Sequence, residues 1–279
     1  MTDRKVVKTV RGQRAIDGAG VNLVRVLGTR DVEDFDPFLM LDSFDSTNPD
    51  DYIKGFPMHP HRGIETITYL IEGEIEHQDS LGNKGVIRGG DSQWMTAGSG
   101  ILHQEMPKAS SRMLGLQIWL NLPKEEKMVD PAYFDITKDL VKVVPEDFGT
   151  VRIISGQYKD TQGVKPPHWQ ASMYDVSLDA GQEANFVTQP EENAFIFLIL
   201  GDAQMGTENY PEKTAVLFGD GDNIRIKSEQ GCRFFYFSGK RMKEPIAWGG
   251  PIVMNTRSEL QTAFSELDTG DFIKHNAAK

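Results

Sequence analysis

The chain contains a single cysteine, Cys232, among its 279 residues. One cysteine excludes an internal disulfide. Its place in an apolar run, 232–237, predicts a small buried side chain rather than a nucleophile. Basic residues are also scarce, since the chain has 30 lysines and arginines but 41 aspartates and glutamates, and its net charge is −11. A surface of that sign repels phosphate backbones, so direct nucleic-acid binding is not expected.

Long apolar runs are missing as well. No window of about twenty apolar residues occurs, which predicts that the chain has no membrane span. The opening residues, 1–5, contain no apolar segment of signal-peptide length. We therefore expect a soluble, monomeric protein of the cytoplasm, with the nucleus as an alternative location in a eukaryotic cell. The sequence has no basic cluster that would favour the nucleus.

Three of the six histidines fall in two short motifs, His59-Pro60-His61 and His103-Gln104-Glu105. The i, i+2 spacing of each pair places both side chains on one face of a β-strand. Glycine-rich turns beside both motifs allow the sharp bends that bring distant strands together at the corners of a small barrel. The sequence therefore predicts a metal site formed by His59, His61, His103 and Glu105.

The fourth ligand has an alternative, Glu65, which shares the strand parity of His59 and His61. In a straight strand its carboxylate lies roughly 13 Å from His61, too far to share one ion. A bend at Gly63 would shorten that distance, so Glu65 stays open as a ligand or as a residue that orients a histidine. Imidazole and carboxylate donors suit iron, manganese, copper, nickel or zinc.

The rest of the chain has the pattern of antiparallel β-structure. Apolar residues alternate with period two at 21–27, 64–71 and 114–120, and turns recur at short intervals. We predict an all-β protein with two antiparallel barrels, divided near residue 138 into domains 1–138 and 139–279. Residues 256–272 predict a C-terminal helix that closes a barrel end, with a capping box of Thr256 and Glu259. Its apolar face is predicted to contain Leu260, Ala263, Phe264 and Leu267.

The two halves resemble a diverged repeat, because residues 69–73 and Gly90-Asp91 recur as 198–201 and Gly221-Asp222. Counting residues from the matched glycines aligns His59 and His61 with Val187 and Gln189. The same count aligns His103 and Glu105 with Phe234 and Tyr236. No histidine lies between His168 and His275. The second barrel is therefore predicted to have lost the metal site. The other three histidines, His77, His168 and His275, are predicted to be surface or packing residues.

The stretches 56–70 and 90–107 together resemble the pirin family of the cupin superfamily. The resemblance extends to 36–38 near the start and 250–256 near the end, and so covers nearly the whole chain. It implies a bicupin fold with iron in the amino-terminal barrel, held by His59, His61, His103 and Glu105. Ferrous iron is the expected metal, and other divalent transition metals are alternatives.

Two functions follow as hypotheses. The resemblance implies a quercetin 2,3-dioxygenase activity, in which Fe(II) and O2 open the ring of a flavonol-like substrate with release of carbon monoxide. Glu105 would then be a ligand and the catalytic base. The alternative is an iron-dependent, redox-sensing regulator of a transcription factor or metabolic enzyme. A structural zinc site is a third hypothesis, although such sites usually contain cysteine.

Overall fold

The structure is a computed structural model that describes residues 1–275. Its helices are α1 (Val32–Phe35), α2 (Arg257–Thr269) and the short 3-10 turns Pro49–Asp51 and Lys124–Glu126. The strands are β1 (Val6–Arg11), β2 (Gln13–Asp17), β3 (Val21–Leu27), β4 (Phe38–Ser46), β5 (Phe56–His61), β6 (Ile64–Glu72), β7 (Glu74–Asp79), β8 (Lys84–Arg88), β9 (Ser92–Thr96), β10 (Ile101–Pro107), β11 (Met113–Asn121), β12 (Ala132–Ile136), β13 (Lys142–Glu146), β14 (Gly149–Ser155), β15 (Gln157–Tyr158), β16 (Thr161–Gln162), β17 (Ala171–Leu178), β18 (Gln182–Val187), β19 (Glu192–Leu200), β20 (Ala203–Met205), β21 (Glu208–Tyr210), β22 (Thr214–Phe218), β23 (Asn223–Ser228), β24 (Cys232–Lys240), β25 (Ala247–Gly249) and β26 (Ile252–Met254). The predicted all-β class with a short C-terminal helix is confirmed.

The described chain forms two compact units. The histidine barrel comprises 14–29, 38–137 and 242–275, and the C-terminal barrel comprises 1–13, 30–37 and 138–241. These units differ from the predicted ranges 1–138 and 139–279. Residues 1–13 and 30–37 belong to the C-terminal barrel, and residues 242–275 belong to the histidine barrel. Neither helix in residues 1–275 has the length and hydrophobicity needed to traverse a bilayer.

The histidine barrel is built from two antiparallel sheets. One has the strand order β12-β9-β6-β11-β4-β3-β2, and the other has the order β5-β10-β7-β8. An apolar cluster that includes Phe44, Leu70 and Met113 lies in this unit. Strand β10 shows why the sequence folds this way, since its residues alternate between buried and partly buried along its length. The alternation turns His103 and Glu105 to the buried side.

The C-terminal barrel repeats the same design. Its sheets have the orders β1-β22-β19-β24-β17-β14-β13 and β18-β23-β20-β21. The predicted repeat is therefore visible in topology, but one part of the predicted register is wrong. Strand β10, which carries the second ligand pair, corresponds to β23 and not to β24, because Gly90-Asp91 precedes β9 whereas Gly221-Asp222 precedes β23.

The corrected match explains why the C-terminal barrel contains no histidine cluster among its described residues. The counterparts of β5 and β10 are β18 and β23, whose buried apolar residues are Ala184, Phe186, Ile224 and Ile226. These side chains belong to a large apolar cluster with Tyr174 and Tyr236. Phe234 and Tyr236, the predicted counterparts, lie on β24 in that same cluster. Apolar packing has replaced the polar ligands.

Helix α2 begins with the predicted capping box. The Thr256 hydroxyl accepts a hydrogen bond from the Glu259 amide (3.2 Å), and the Glu259 carboxylate accepts one from the Thr256 amide (2.8 Å). Gly270, with φ of 84°, ends the helix. Leu260, Ala263 and Leu267 pack with Ile252 and Met254 of the β25–β26 hairpin. Phe264 departs from the predicted apolar face, since it is 40% exposed.

Two buried basic side chains tie this C-terminal segment to the end of β5. Arg62 donates to the carbonyls of Ser99 (2.7 Å) and Phe272 (2.9 Å), and it pairs with Glu266 (2.7 Å). Lys127 donates to the carbonyls of Gly63 (2.7 Å) and Val253 (2.9 Å) and to the side chain of Asn121 (2.5 Å), and burial lowers its pKa to about 7. Since each side chain bridges separate stretches of chain, residues 242–275 are held beside the histidine motif.

Candidate metal centre

Strands β5 and β10 bring the predicted histidines together. The two strands pair antiparallel, with His59 opposite His103 and His61 opposite Ile101. Strand β5 lies at the edge of its sheet. An edge position tolerates proline, and this explains how Pro57 and Pro60 can flank the first ligand. The His-Pro-His motif therefore presents two imidazoles to the same side as His103.

The three imidazoles form one cluster. Ring centroids are 4.4 Å apart for His59 and His103, 4.9 Å for His59 and His61, and 5.0 Å for His61 and His103. One nitrogen from each ring lies within 4.8 Å of the others. Within residues 1–275, this is the group of histidine, cysteine and acidic side chains whose ligand atoms are arranged to hold a metal ion.

The hydrogen bonds of two rings fix where their protons lie. Nδ1 of His59 is 2.9 Å from the Pro57 carbonyl, and Nδ1 of His61 is 3.0 Å from the Pro251 carbonyl. A carbonyl can only accept, so each Nδ1 carries the hydrogen. The two Nε2 atoms then face each other at 3.1 Å with lone pairs. A cation beside both lone pairs relieves that repulsion, and such carbonyl partners are typical of metal-binding histidines.

Burial keeps the inner rings neutral. Desolvation, followed by the nearby His59, lowers the pKa of His61 to about 3. The pKa of His103 is also well below its usual 6.5, chiefly because of burial and then because of its histidine neighbours. Both nitrogens of His103 lack a hydrogen-bond partner and are buried. Neutral, buried imidazoles with free lone pairs are the form that binds metals, so this triad can hold a metal ion.

Glu105 lies inside the same barrel but outside the three-histidine cluster. Its Oε1 accepts hydrogen bonds from Gln93 (2.6 Å) and Thr68 (3.0 Å), and its Oε2 accepts one from Gln117 (2.8 Å). The carboxylate is thus held among three donors. Whether it ligates a metal remains a prediction.

Glu65 points the other way. It accepts a hydrogen bond from the hydroxyl of Thr96 (2.7 Å) and is fully buried. Thr66 and Thr68 lie on the opposite face of β6, and the Thr68 hydroxyl donates to the Glu105 carboxylate. Glu65 therefore does not lie on the face of β6 that contacts Glu105.

A row of polar residues crosses the large sheet beneath this site. Cross-strand register aligns Arg25 with Asp42, Asp42 with Gln117, Gln117 with Thr68, Thr68 with Gln93, and Gln93 with Asp135. Three of these residues are the hydrogen-bond donors to Glu105. The row explains why the buried carboxylate is tolerated, because each of its oxygens has a partner.

His77 lies next to the cluster but contributes no atom to the three-histidine group. The sequence predicts a surface or packing residue, and the structure shows packing, since His77 is 2% exposed and its ring stacks on Tyr133 at 4.2 Å. Its ring centroid lies 5.4 Å from that of His103, and Nε2 is 3.3 Å from the Asp79 carboxylate. The closeness to His103 is a contact that the sequence interpretation does not contain, although His77-Gln78-Asp79 has the same spacing as His103-Gln104-Glu105 and β7 pairs with β10.

The other two histidines lie outside the cluster. His168 belongs to the C-terminal barrel and is partly buried, whereas His275 lies 3.1 Å from the carboxylate of Asp130. Neither contributes an atom to the three-histidine group. Their predicted exclusion from the metal site agrees with these positions.

Two tryptophans extend the aromatic surface of the site. Trp119 meets the ring of His61 edge-on, with centroids 5.0 Å apart, and Trp248 lies 5.6 Å from Trp119. His61 and Trp119 are buried, and Trp248 is partly exposed. We call His61, Trp119 and Trp248 the aromatic wall.

Comparison with known proteins shows the family of this chain. The family model for pirin matches residues 20–120, and the model for the pirin C-terminal cupin domain matches residues 173–273. The chain is 41% identical to a pirin-like protein of Caulobacter vibrioides over 276 residues, which is 98% of this chain and 100% of that protein.

Solved structures agree with the fold. A quercetin 2,3-dioxygenase from Acinetobacter baumannii superposes with a TM-score of 0.90 at 28% identity, covering 97% of this chain and 98% of that chain. A bacterial pirin from Escherichia coli in complex with nickel(II) gives 0.66 at 22% identity, covering 84% and 99%. The predicted bicupin fold is confirmed, and the chain belongs to the pirin family.

Proposed function

We propose that this protein is a metal-dependent dioxygenase of the quercetin 2,3-dioxygenase type. The observation that supports this most directly is the cluster of His59, His61 and His103, whose ring nitrogens lie within 4.8 Å of one another. Burial lowers the pKa of both His61 and His103, so these two rings are neutral. The similar structure from Acinetobacter baumannii bears the same activity in its name. In this proposal His59, His61 and His103 hold Fe(II), and a bound ferrous ion supplies redox chemistry toward dioxygen.

The residues of the chain set the geometry of the reaction. Nδ1 of His59 and of His61 is fixed by a carbonyl, so the remaining nitrogens stay aimed at one point. In this proposal Glu105 is the fourth ligand and the base that takes the hydroxyl proton of the flavonol. Its Oε2 accepts a single donor, Gln117, whereas Oε1 accepts two. Oε2 is therefore the oxygen with a free lone pair, which can serve the metal ion or the proton, one at a time.

The experiment is anaerobic reconstitution with Fe(II), addition of quercetin, exposure to dioxygen and measurement of carbon monoxide. We expect carbon monoxide from the ferrous protein and far less from the zinc-substituted protein, because zinc has no redox chemistry. The His59→Ala, His61→Ala double variant is the metal-free control. Fully loaded ferrous protein that binds quercetin yet releases no carbon monoxide above this control refutes the proposal. The redox-sensing regulator, tested by partner affinity in ferrous and ferric protein, would then take its place.

A further inference from the structure

The β25–β26 hairpin lies directly beside the metal-binding end of β5. Ile252 bridges to Arg62, and the amide of Val253 donates to the Arg62 carbonyl at 3.1 Å. The turn of the hairpin, residues 250–251, then supplies the Pro251 carbonyl that holds Nδ1 of His61. Trp248 is therefore attached to the same backbone that orients a metal-binding histidine.

The indole of Trp248 is held in place from two sides. Its Nε1 donates to the carbonyl of Gly250 at 2.8 Å, and Gly250 has a φ of 52°, which favours glycine. The neighbouring Gly249 packs so closely on α2 that an added Cβ would meet Phe264 at 3.0 Å and Leu260 at 3.1 Å. The hairpin therefore packs directly against α2, and one hydrogen bond joins the indole to the turn of the hairpin.

The aromatic wall offers ring faces rather than hydrogen-bond donors. Nε1 of Trp119 donates to the side-chain oxygen of Gln117 (3.4 Å), and Nε1 of Trp248 donates to the Gly250 carbonyl. With both indole donors engaged inside the protein, the partly exposed ring of Trp248 can recognise a ligand through its π face alone. Such a face favours a flat aromatic ring in offset or edge contact.

We propose that Trp248 is a specificity-determining residue that contacts an aryl ring of a planar polyphenol while the hydroxyketone of the same molecule reaches the histidine cluster. This inference rests on the proposed function and names the part of the substrate that the aromatic wall selects. A small hydroxyketone without an additional ring reaches the histidines but not Trp248. The wall therefore favours flavonols over small chelating molecules.

The test measures binding without oxygen, by calorimetry on Fe(II)-loaded protein whose metal content is checked for each variant. Trp248→Ala should raise the Kd for quercetin about tenfold, and Trp248→Phe should retain most of the affinity. The Kd for maltol, a hydroxyketone with a single ring, should not change. The matched control is Trp169→Ala, because Trp169 is also partly buried and also donates Nε1 to a backbone carbonyl (Lys240, 2.8 Å), but lies in the C-terminal barrel.

The outcomes separate this inference from the proposed function. An unchanged quercetin Kd in Trp248→Ala overturns the role of Trp248, and so does an equal loss of maltol affinity, which would indicate general damage to the wall. Carbon monoxide release by wild-type protein is scored independently. Wild-type protein that binds quercetin through Trp248 but releases no carbon monoxide supports the aryl contact and refutes the dioxygenase. Wild-type protein that fails to bind quercetin refutes both.

Discussion

Acid should destabilise the metal-free protein through His61. The pKa of this buried imidazole is about 3 in the folded protein, against 6.5 for an exposed histidine. Between these values the unfolded chain binds a proton that the folded protein does not bind. The free energy of unfolding therefore falls as the pH drops below about 6.5, and it continues to fall until the folded pKa is reached.

The size of the effect follows from the pKa difference. Each unit corresponds to about 1.4 kcal/mol, so at pH 5, roughly 1.5 units below the unfolded value, His61 alone removes about 2 kcal/mol. His103 acts in the same direction, because burial also lowers its pKa. For a domain of ordinary stability, such a loss is a large fraction of the total.

The assay is urea unfolding of metal-free protein at pH 7 and pH 5, with wild type compared to His61→Asn. Asparagine does not titrate, and its side-chain amide can donate to the Pro251 carbonyl as Nδ1 of His61 does. We expect the variant to lose about 2 kcal/mol less than wild type between the two pH values. Equal losses in both proteins would refute the assignment of the pH dependence to His61.

Three further predictions concern metal retention and packing. Well-washed protein should retain one tightly bound metal per chain by elemental analysis, none of it in the His59→Ala, His61→Ala variant; two equivalents would contradict a site confined to the histidine barrel. Glu105→Gln should weaken metal retention strongly, whereas Glu65→Gln should cost at most about a hundredfold in metal affinity, and the reverse order in a chelator competition would make Glu65 the ligand. Lys127→Met should lower the free energy of unfolding in urea by about 3 kcal/mol, because three buried oxygens lose the Lys127 donor, although the Gly63 carbonyl keeps the Leu122 amide at 3.4 Å. A loss below about 1 kcal/mol would show that water replaces the ammonium group.

Part of the histidine cluster was predictable because it depends on local spacing. In a strand, residues i and i+2 share one face, so His59 and His61 were expected together on β5 and His103 on the buried side of β10. The same rule applies to His77 and Asp79, but a single histidine with a carboxylate resembles an ordinary strand end until its neighbours are known. Only the pairing of β7 with β10, which sets His77 opposite Glu105, brings its ring to 5.4 Å from that of His103.

Other features depend on strand order, which sequence spacing does not encode. Matching glycines between the halves assigned the counterparts of His103 and Glu105 to β24, although the sheets show that β23 takes that place. The aromatic wall was beyond prediction for a similar reason. Trp119 and Trp248 are far apart in sequence and meet only because the C-terminal segment packs within the histidine barrel.

The hydrogen bond between His61 and Pro251 forms late in synthesis, because it joins residues 190 positions apart. A ribosome releases the His-Pro-His motif long before it makes the hairpin that fixes His61. Throughout that interval the nascent chain carries two histidines without the carbonyl, the tryptophan or the arginine contacts that order them. We therefore expect metal to enter the finished protein after synthesis, when the last segment has folded back.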